Sequence, residues 1–523
     1  MTEHELLAAL RPATDHRSPR AVRPRVGVFG IGLAAYWPQF DGLRERLEAW
    51  QRRVESRLTD IGAEVVSAGM VDDAISATRA GDTFARADLD LLVCYVGTYA
   101  TSSQVLPVAQ RAKVPVLALN LQPASALDYP NTDTGTWLAH CSACTVPELA
   151  NAFGRARAPF HVVTGLLDPV GTHADRYALR AWRSIADWLA AAGAVRALRT
   201  ARIGFLGHTY PGMLDMYSDP TMVHAQTGAH VEVLEIDDLA ERVAAVCPAD
   251  VRAKLDEIRA TFEFAEPGSD PIAREITPEA LDWSARVACG LDRLVADFDL
   301  AGLTYYYRGV DGNEAERLGA GLIVGNSLLT ARGVPASGEG DLKTCLAMLL
   351  MDRLHAGGSY TEIYALDFEE DFVLMGHDGP GHVAISDRRP VLRGLGTYHG
   401  KRGAGISVEF QVREGPISLL GVTQTADGSL KLLSVEGTSL PGPTMQIGNT
   451  NSRLQLGLDP ATFMDRWTAE APTHHVALGI GHQGARLAKV ATLLGTPFSA
   501  VRHAERSATG SSVDEAPGTQ RIA

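Results

Sequence analysis

Apolar and polar residues follow two different rhythms along the first third of the chain. Short apolar runs at 25–29, 89–96 and 114–119 predict buried strands. Between the first two runs, an apolar side chain recurs every three or four positions, which predicts a helix with one apolar face. The residues on that face are Phe40, Leu43, Leu47, Trp50, Val54, Leu58 and Ile61. Strands that alternate with helices indicate a parallel sheet covered on both faces, so we predict an α/β domain over residues 24–160.

A second α/β domain is predicted over residues 161–330. Its strands are expected at 202–207, 231–234 and 300–306, with helical stretches between them. Two further helices, at 315–332 and 341–355, flank a turn that carries Glu339. The chain is therefore expected to contain two doubly wound parallel sheets in succession.

The pattern changes after Ser359, where short strands follow one another without intervening helices. This arrangement indicates an antiparallel sheet or small barrel, which we assign to a C-terminal domain over 331–504. The predicted strands are 362–368, 372–375, 381–385, 407–412, 417–423 and 430–436. Helices at 460–467 and 485–494 are predicted to complete the domain. Residues 1–23 are expected to be a flexible lead-in and residues 505–523 a disordered tail.

Composition and charge exclude several classes of partner. A chain of 523 residues with a net charge of −14 is not expected to bind nucleic acid, and its length suits two or three domains. No apolar run approaches the roughly 20 residues that span a bilayer. The first 23 residues lack the apolar core of a secretion signal, so a cytoplasmic protein is expected.

Cys141 and Cys144 form a Cys-x-x-Cys pair, but a zinc site would need a second pair, so we expect a structural role.

Two acidic residues and two histidines are the strongest candidates for chemistry. Glu339, Glu362, His377 and His475 would together suit a divalent ion that keeps open coordination positions. Taken singly, each is more readily explained as a cap, a solvated residue or a loop residue. Since adjacent strand residues point to opposite faces, only one of His474 and His475 is expected to reach the same cleft.

The sequence around these four residues resembles the L-arabinose/L-fucose isomerase family. The Glu-Gly-Asp-x-Lys-Thr motif at 339–344, the glycine-rich lead to Glu362, and the segments 372–377 and 473–475 resemble the metal-site segments of L-arabinose isomerases. The segment 481–485 is closer to the L-fucose isomerase branch. The resemblance implies that Glu339, Glu362, His377 and His475 are the metal ligands and that both glutamates are catalytic.

The resemblance also implies a function. It points to an aldose–ketose isomerase that uses Mn²⁺ and moves a proton through a cis-enediol, with L-arabinose to L-ribulose as the preferred reaction. L-fucose, D-arabinose or another aldose is the alternative substrate. A homotrimer or homohexamer is implied, in which the first domain of one subunit helps to close a neighbour's active site.

Three polar or aromatic residues are candidates for contact with a sugar. Tyr36, Gln122 and Tyr210 follow or end predicted strands, where open α/β sheets place their ligands.

The sequence also suggests two other functions. A nucleotide-dependent enzyme is disfavoured because the glycines at 27, 30 and 32 fail the Gly-x-Gly-x-x-Gly spacing. A non-catalytic sugar-binding protein of two α/β lobes would leave the C-terminal acids and histidines without a role.

Overall fold

A computed structural model describes residues 1–11, 14–269, 271, 273–307, 312–395 and 405–502. The predicted tail at 505–523 lies outside the described residues. Within them, two parallel sheets are followed by an antiparallel barrel, which confirms the predicted α/β fold class. None of the helices in the described ranges combines the length and apolarity that a bilayer crossing requires.

The first sheet has five parallel strands in the order β2-β1-β3-β4-β5. Its central strand β3 is buried at every position, as expected for a strand covered on both faces. The strands are β1 (Arg25–Ile31), β2 (Glu64–Val71), β3 (Leu91–Tyr95), β4 (Val116–Gln122) and β5 (Phe160–Leu166). The helices of this part are α1 (Glu3–Ala9), α2 (Leu43–Asp60), α3 (Ala74–Ala85), α4 (Ser102–Ala112), α5 (Thr134–Leu138), α6 (Thr145–Arg155) and α7 (Asp175–Arg199).

The second sheet has four parallel strands in the order β10-β9-β6-β7. These strands are β6 (Arg202–Gly207), β7 (His230–Leu234), β9 (Gly302–Tyr306) and β10 (Ala336–Ser337). The helices are α8 (Pro220–Thr227), α9 (Ile236–Ala244), α10 (Pro248–Thr261), α11 (Pro278–Asp297), α12 (Glu314–Ala320) and α13 (Leu322–Ala331). The short strand β8 (Glu263–Phe264) is not part of the second sheet and pairs with a strand of the C-terminal part.

Six antiparallel strands close into a barrel in the C-terminal part, because the two strands at the ends of this set of six also pair with each other. They are β11 (Gly357–Asp367), β12 (Phe372–His377), β15 (Gly415–Gln424), β16 (Leu430–Leu440), β17 (Thr450–Gln455) and β18 (His475–Ile480). The remaining strands are β13 (Val391–Leu395), β14 (Gly405–Glu409) and β19 (Phe498–Ala500), and the helices are α14 (Leu342–Arg353), α15 (Pro460–Ala469) and α16 (Gly484–Leu494).

Helix α14 links the two architectures. All 12 of its residues are buried, and it packs against α7 on one side and against β11, β15 and β18 on the other. A helix that is buried all round is fixed in position by its neighbours. The turn before α14 and the loop after it are therefore held in place relative to the barrel.

Several predicted elements need correction. The predicted strand at 381–385 is wrong: the chain forms a 3-10 turn at Val383–Ile385. Its backbone groups bond to side chains instead of to a neighbouring strand, since Gly381 N donates to Ser327 Oγ and His382 N donates to Ser359 Oγ. Strand β17 was not predicted because its sequence, Thr-Asn-Ser-Arg-Leu-Gln, is mostly polar.

Two predicted boundaries also differ. Strand β5 continues the first sheet to Leu166, beyond the expected boundary at residue 160. The expected flexible lead-in begins with helix α1, which Thr2 caps and whose Leu6 is fully buried. Glu3 of this helix also forms an ion pair with the buried Arg57, so the segment is attached to the first domain.

The Cys-x-x-Cys pair lies at the start of α6. Cys141 is buried and Cys144 is exposed, and the Cys144 thiol donates to the Cys141 carbonyl at 3.1 Å. Burial raises the pKa of Cys141 to about 12, so this thiol is a poor nucleophile.

Candidate active site

The turn between β10 and α14 presents Glu339. Its backbone is left-handed, with φ of 61°, a conformation that non-glycine residues seldom adopt. Two hydrogen bonds hold the turn: Tyr210 N donates to Glu339 O at 2.8 Å, and Gly340 N donates to Tyr305 O at 3.0 Å. A β-carbon on Gly340 would lie 2.5 Å from the His208 carbonyl oxygen, so only glycine fits there.

Asp341 connects this turn to His475. It is the N-cap of α14, accepting from Thr344 N at 3.0 Å and from Thr344 Oγ1 at 2.7 Å. Its Oδ2 also lies 3.1 Å from His475 Nδ1. Burial would raise the pKa of Asp341, but the bond to His475 and the other polar partners lower it below its ordinary value. The ionised carboxylate therefore accepts, and His475 Nδ1 carries the proton.

His475 consequently directs the lone pair of Nε2 towards Glu339. The Nε2 to Oε2 distance is 3.7 Å, too long for a hydrogen bond, and the His475 side chain is only 1% exposed. Glu339 Oε2 is buried and has no hydrogen-bond partner among the described residues. A buried carboxylate oxygen beside an available imidazole nitrogen is incomplete as a hydrogen-bonded pair and suits a shared cation.

Glu362 and His377 border the same place. Glu362 lies directly opposite His475 in the β11–β18 pairing, which puts the two side chains on one face of the sheet. Burial raises the pKa of Glu362, and the nearby negative charge of Glu339 raises it further. The rings of His377 and His475 are 5.1 Å apart, and the Tyr360 ring packs 4.5 Å from each of them.

The two imidazoles differ in their hydrogen bonds. His377 Nδ1 accepts from Gly379 N at 2.9 Å, so a neutral ring carries its proton on Nε2. His475 Nδ1 is 2.7 Å from the Tyr360 hydroxyl, and that hydroxyl donates onward to Gly338 O at 3.3 Å. Of the two rings, only His475 is held in the tautomer that leaves Nε2 available.

His474 joins the site, contrary to the expectation that adjacent histidines diverge. Strand β18 begins at His475, so the alternation of a strand does not extend to His474. The two rings lie 3.8 Å apart, and the ligand atoms of Glu339, His474 and His475 all lie within 4.8 Å of one another. Asp215 holds His474, accepting from its backbone N at 2.9 Å and from its Nδ1 at 2.6 Å. Burial would lower the pKa of His474, but Asp215 raises it above its ordinary value.

The sugar-contact candidates are divided between two places. Tyr210 lies beside Glu339, and its ring packs 4.6 Å from that of Tyr306. Tyr36 packs against Phe40, and Gln122 donates to Ser142 Oγ, so the contacts described for these two remain within the first domain. No described contact brings either of them to Glu339.

Sequence reasoning did not identify four residues that shape the site: Asp215, Asp341, Tyr360 and His474. The sequence does indicate the N-cap role of Asp341, because an aspartate three residues before a threonine at a helix start is a typical N-cap. Its second role, holding His475, depends on a contact across 134 positions of the chain. Asp215 and Tyr360 had no comparable signal.

Comparison with known proteins finds similarity to sugar isomerases. Residues 218–357 match the family described as the L-arabinose isomerase central domain. L-arabinose isomerase of Acidothermus cellulolyticus is 24% identical over 396 residues, covering 74% of this chain and 75% of its own. L-arabinose isomerase of Clavibacter sepedonicus is 23% identical over 429 residues, covering 80% and 81%. Sulfoquinovose isomerase of Alkalicoccus urumqiensis is 24% identical over 267 residues, covering 50% and 56%. Over about three quarters of its length, the chain is thus similar to L-arabinose isomerases.

Proposed function

We propose that this protein is an aldose–ketose isomerase that binds one divalent ion and interconverts a free aldose and its ketose. The proposed ligands are Glu339, Glu362, His377 and His475. The observation that supports this most strongly is the orphaned Oε2 of Glu339, 3.7 Å from the His475 Nε2 that Asp341 orients. In many metal sites, a carboxylate accepts a hydrogen bond from the nitrogen of a ligand histidine that does not bind the metal, and so fixes the orientation of the ring.

Mn²⁺ is the proposed ion. Two carboxylates and two imidazoles offer mixed oxygen and nitrogen ligands, whereas Mg²⁺ prefers oxygen and structural zinc prefers sulfur. When bound, such an ion would polarise the sugar carbonyl and stabilise the negative charge that develops next to it. His377 would first have to release its bond from Gly379 N to offer a lone pair.

The two glutamates are proposed to move the protons. One takes the proton from C2 of the open-chain aldose and returns it to C1, and the other transfers the hydroxyl proton between the neighbouring oxygens. The raised pKa of Glu362 brings its protonated form closer to neutral pH, which suits a group that alternates between acid and base. Protonated His474, held by Asp215, is proposed to donate a hydrogen bond to the substrate.

L-arabinose, with L-ribulose as product, is the preferred substrate pair. L-fucose, D-arabinose or another aldose remains the alternative, and one relative is a sulfoquinovose isomerase. A non-catalytic sugar-binding protein is less well supported, because it gives the buried Glu339 oxygen no role. We place the reaction in the cytoplasm, where thiols stay reduced, in agreement with six unpaired cysteines.

A panel of free aldopentoses and aldohexoses tests this function. The protein is stripped with a chelator, reloaded with Mn²⁺, and assayed for ketose by a colorimetric reaction. We expect ketose only after metal is returned, with L-arabinose as the best substrate. Ketose formation that is equal with and without metal would contradict the proposed ion. Sugar binding without any ketose, across the whole panel, would favour the binding-protein alternative.

Single replacement of either glutamate tests the mechanism. We expect Glu339→Gln and Glu362→Gln to lose at least about a hundredfold in kcat, because each would lose its proton-transfer group while keeping a similar shape. Glu470→Gln is the matched control: Glu470 pairs with Lys431 on the surface, so activity should be unchanged. Near-normal activity in both site variants, with folding confirmed by circular dichroism, would refute the assignment.

A further inference from the structure

A second cluster of metal-ligand side chains lies outside the candidate active site. His16 comes from the N-terminal segment, Asp352 from the last turn of α14, and His382 from the loop after β12. Asp352 Oδ1 is 4.0 Å from His16 Nε2 and 3.9 Å from His382 Nε2. The three ligand atoms lie within 4.8 Å of one another.

The cluster is buried and its polar atoms are not satisfied. The side chains of Asp352 and His382 are each 1% exposed. Among the described residues, no hydrogen-bond partner is present for His16 Nε2, Asp352 Oδ1 or either ring nitrogen of His382. Leaving such groups buried and unpaired is unfavourable, so several together in one place indicate a missing partner.

The second oxygen of Asp352 is already engaged, which fixes the direction of the first. Ser18 Oγ donates to Asp352 Oδ2 at 2.5 Å, and the Arg353 guanidinium pairs with the same oxygen. Oδ1 is thereby turned towards the two imidazoles. Protonated imidazoles would close on this oxygen at about 2.8 Å, the usual length of a charged hydrogen bond, but both gaps are more than 1 Å wider.

The distances from Asp352 Oδ1 to the two imidazole nitrogens fit a shared ion better than they fit hydrogen bonds. In a tetrahedral zinc site, neighbouring ligand atoms are about 3.3 Å apart, given metal–ligand distances near 2.0–2.1 Å. The two distances from Asp352 Oδ1 would shorten by about 0.6–0.7 Å when such an ion binds. Two imidazoles and one carboxylate, with a water molecule in the fourth position, form a familiar zinc ligand set.

We propose that His16, Asp352 and His382 bind a second divalent ion of the zinc class. The positive charge of Arg353 on the opposite oxygen lowers the affinity of the site for cations. Mg²⁺ and Ca²⁺ are disfavoured, since neither gains from imidazole ligands. The site is separate from the candidate active site. Asp341 and Asp352 mark opposite ends of α14, about 16 Å apart at 1.5 Å per residue.

The ion would join three segments that are distant in the sequence. The N-terminal segment already contacts this region, because Thr14 Oγ1 donates to His355 O at 2.8 Å and Ser18 N donates to His355 Nδ1 at 3.2 Å. His382 lies five residues after His377, so the ion would also anchor the loop that follows the candidate active-site histidine. The ion would therefore hold these segments together, and this effect does not depend on the proposed reaction.

Metal content of the full-length protein tests the proposal. The protein is stripped with a chelator, loaded with Zn²⁺, desalted and analysed by mass spectrometry for bound zinc. We expect His16→Asn and His382→Asn each to hold one equivalent less than the unmodified protein, and added Zn²⁺ to raise their Tm less. His161→Gln is the matched control, since His161 is a half-buried histidine that packs on Trp188 in the first domain, and it should lose no zinc.

Loading with Co²⁺ separates this site from the candidate active site. The visible absorption of tetrahedral Co²⁺ should disappear in His16→Asn and remain in Glu339→Gln, whether or not the protein isomerises sugars. His16 lies on a peripheral segment, so its variant remains informative if His382→Asn fails to fold. Equal zinc content and identical Co²⁺ spectra in His16→Asn and the unmodified protein would overturn the proposal.

Discussion

A single aspartate serves both the fold and the candidate site. Asp341 ends the turn that carries Glu339, caps α14 through Thr344, and holds the Nδ1 proton of His475. Because all of these contacts are buried, the carboxylate fixes the distance between two proposed metal ligands. The orientation of His475 therefore depends on a residue that need not touch the metal.

Replacing Asp341 by asparagine should weaken metal binding more than it weakens the fold. Asparagine caps helices about as well as aspartate, but it lacks the charge that favours a proton on His475 Nδ1. We expect a loss of about 10–100-fold in Mn²⁺ affinity, measured by isothermal titration calorimetry. Asp459→Asn is the control, because Asp459 caps α15 through Thr462 in the same way and has no described hydrogen bond to a proposed metal ligand. Equal Mn²⁺ affinities in the two variants would contradict the role of Asp341.

At the scale of elements, the turn between β10 and α14 is the most constrained part of the site. Gly340 has a φ of 70°, and the backbone of residues 208 and 209 lies directly against it. Lys343 adds three donated bonds to the same loop of the central domain, to Met216 O, Tyr217 O and Ser218 Oγ. The central domain and the start of α14 thus share one packed interface.

Gly340→Ala should displace Glu339. The added methyl group would meet the His208 carbonyl oxygen at 2.5 Å, so the turn or the loop must move. We expect about a hundredfold loss in kcat/KM, the scale that a 1 Å misplacement of catalytic groups can reach. Gly457→Ala is the matched control: Gly457 has a φ of 69° and open space around it, so it should show only backbone strain of about 1 kcal/mol. Similar kcat/KM values in the two variants would contradict the packing argument.

At the scale of the whole molecule, exposed apolar side chains of the central domain lie beside one residue of the candidate site. Asp215, which holds His474, lies between Leu214 and Tyr217, whose exposed fractions are 78% and 49%. Large apolar side chains beside a site are typical of surfaces that a partner covers. We propose that a neighbouring subunit is that partner.

The protein is therefore expected to assemble as a homotrimer or homohexamer. Light scattering coupled to size-exclusion chromatography should give a mass of three or six chains of 55.9 kDa each. Dilution that produces monomers should reduce the isomerase activity, because the site would lose its cover. A fully active monomer would refute this expectation.

The sequence by itself determined most of the elements and marked the four proposed metal ligands. Apolar periodicity was sufficient for α2 and α16, because each has apolar residues at steps of three or four and a buried face. Apolar periodicity did not predict strand β17, which is mostly polar. It also failed for the loop at 381–385, whose backbone bonds to side chains of residues 327 and 359. In that loop, distant partners rather than local preference fix the conformation.

The tertiary structure alone decided how the candidate residues meet. The motif at 339–344 marked Glu339, but only the fold brought the Asp341 carboxylate to His475 and placed His474 beside it. The cluster of His16, Asp352 and His382 could not be read from the chain, since 336 positions separate its first two members. The physical reason is the same in both cases: periodicity reports which face of an element is buried, whereas a site requires that particular atoms from separate elements converge.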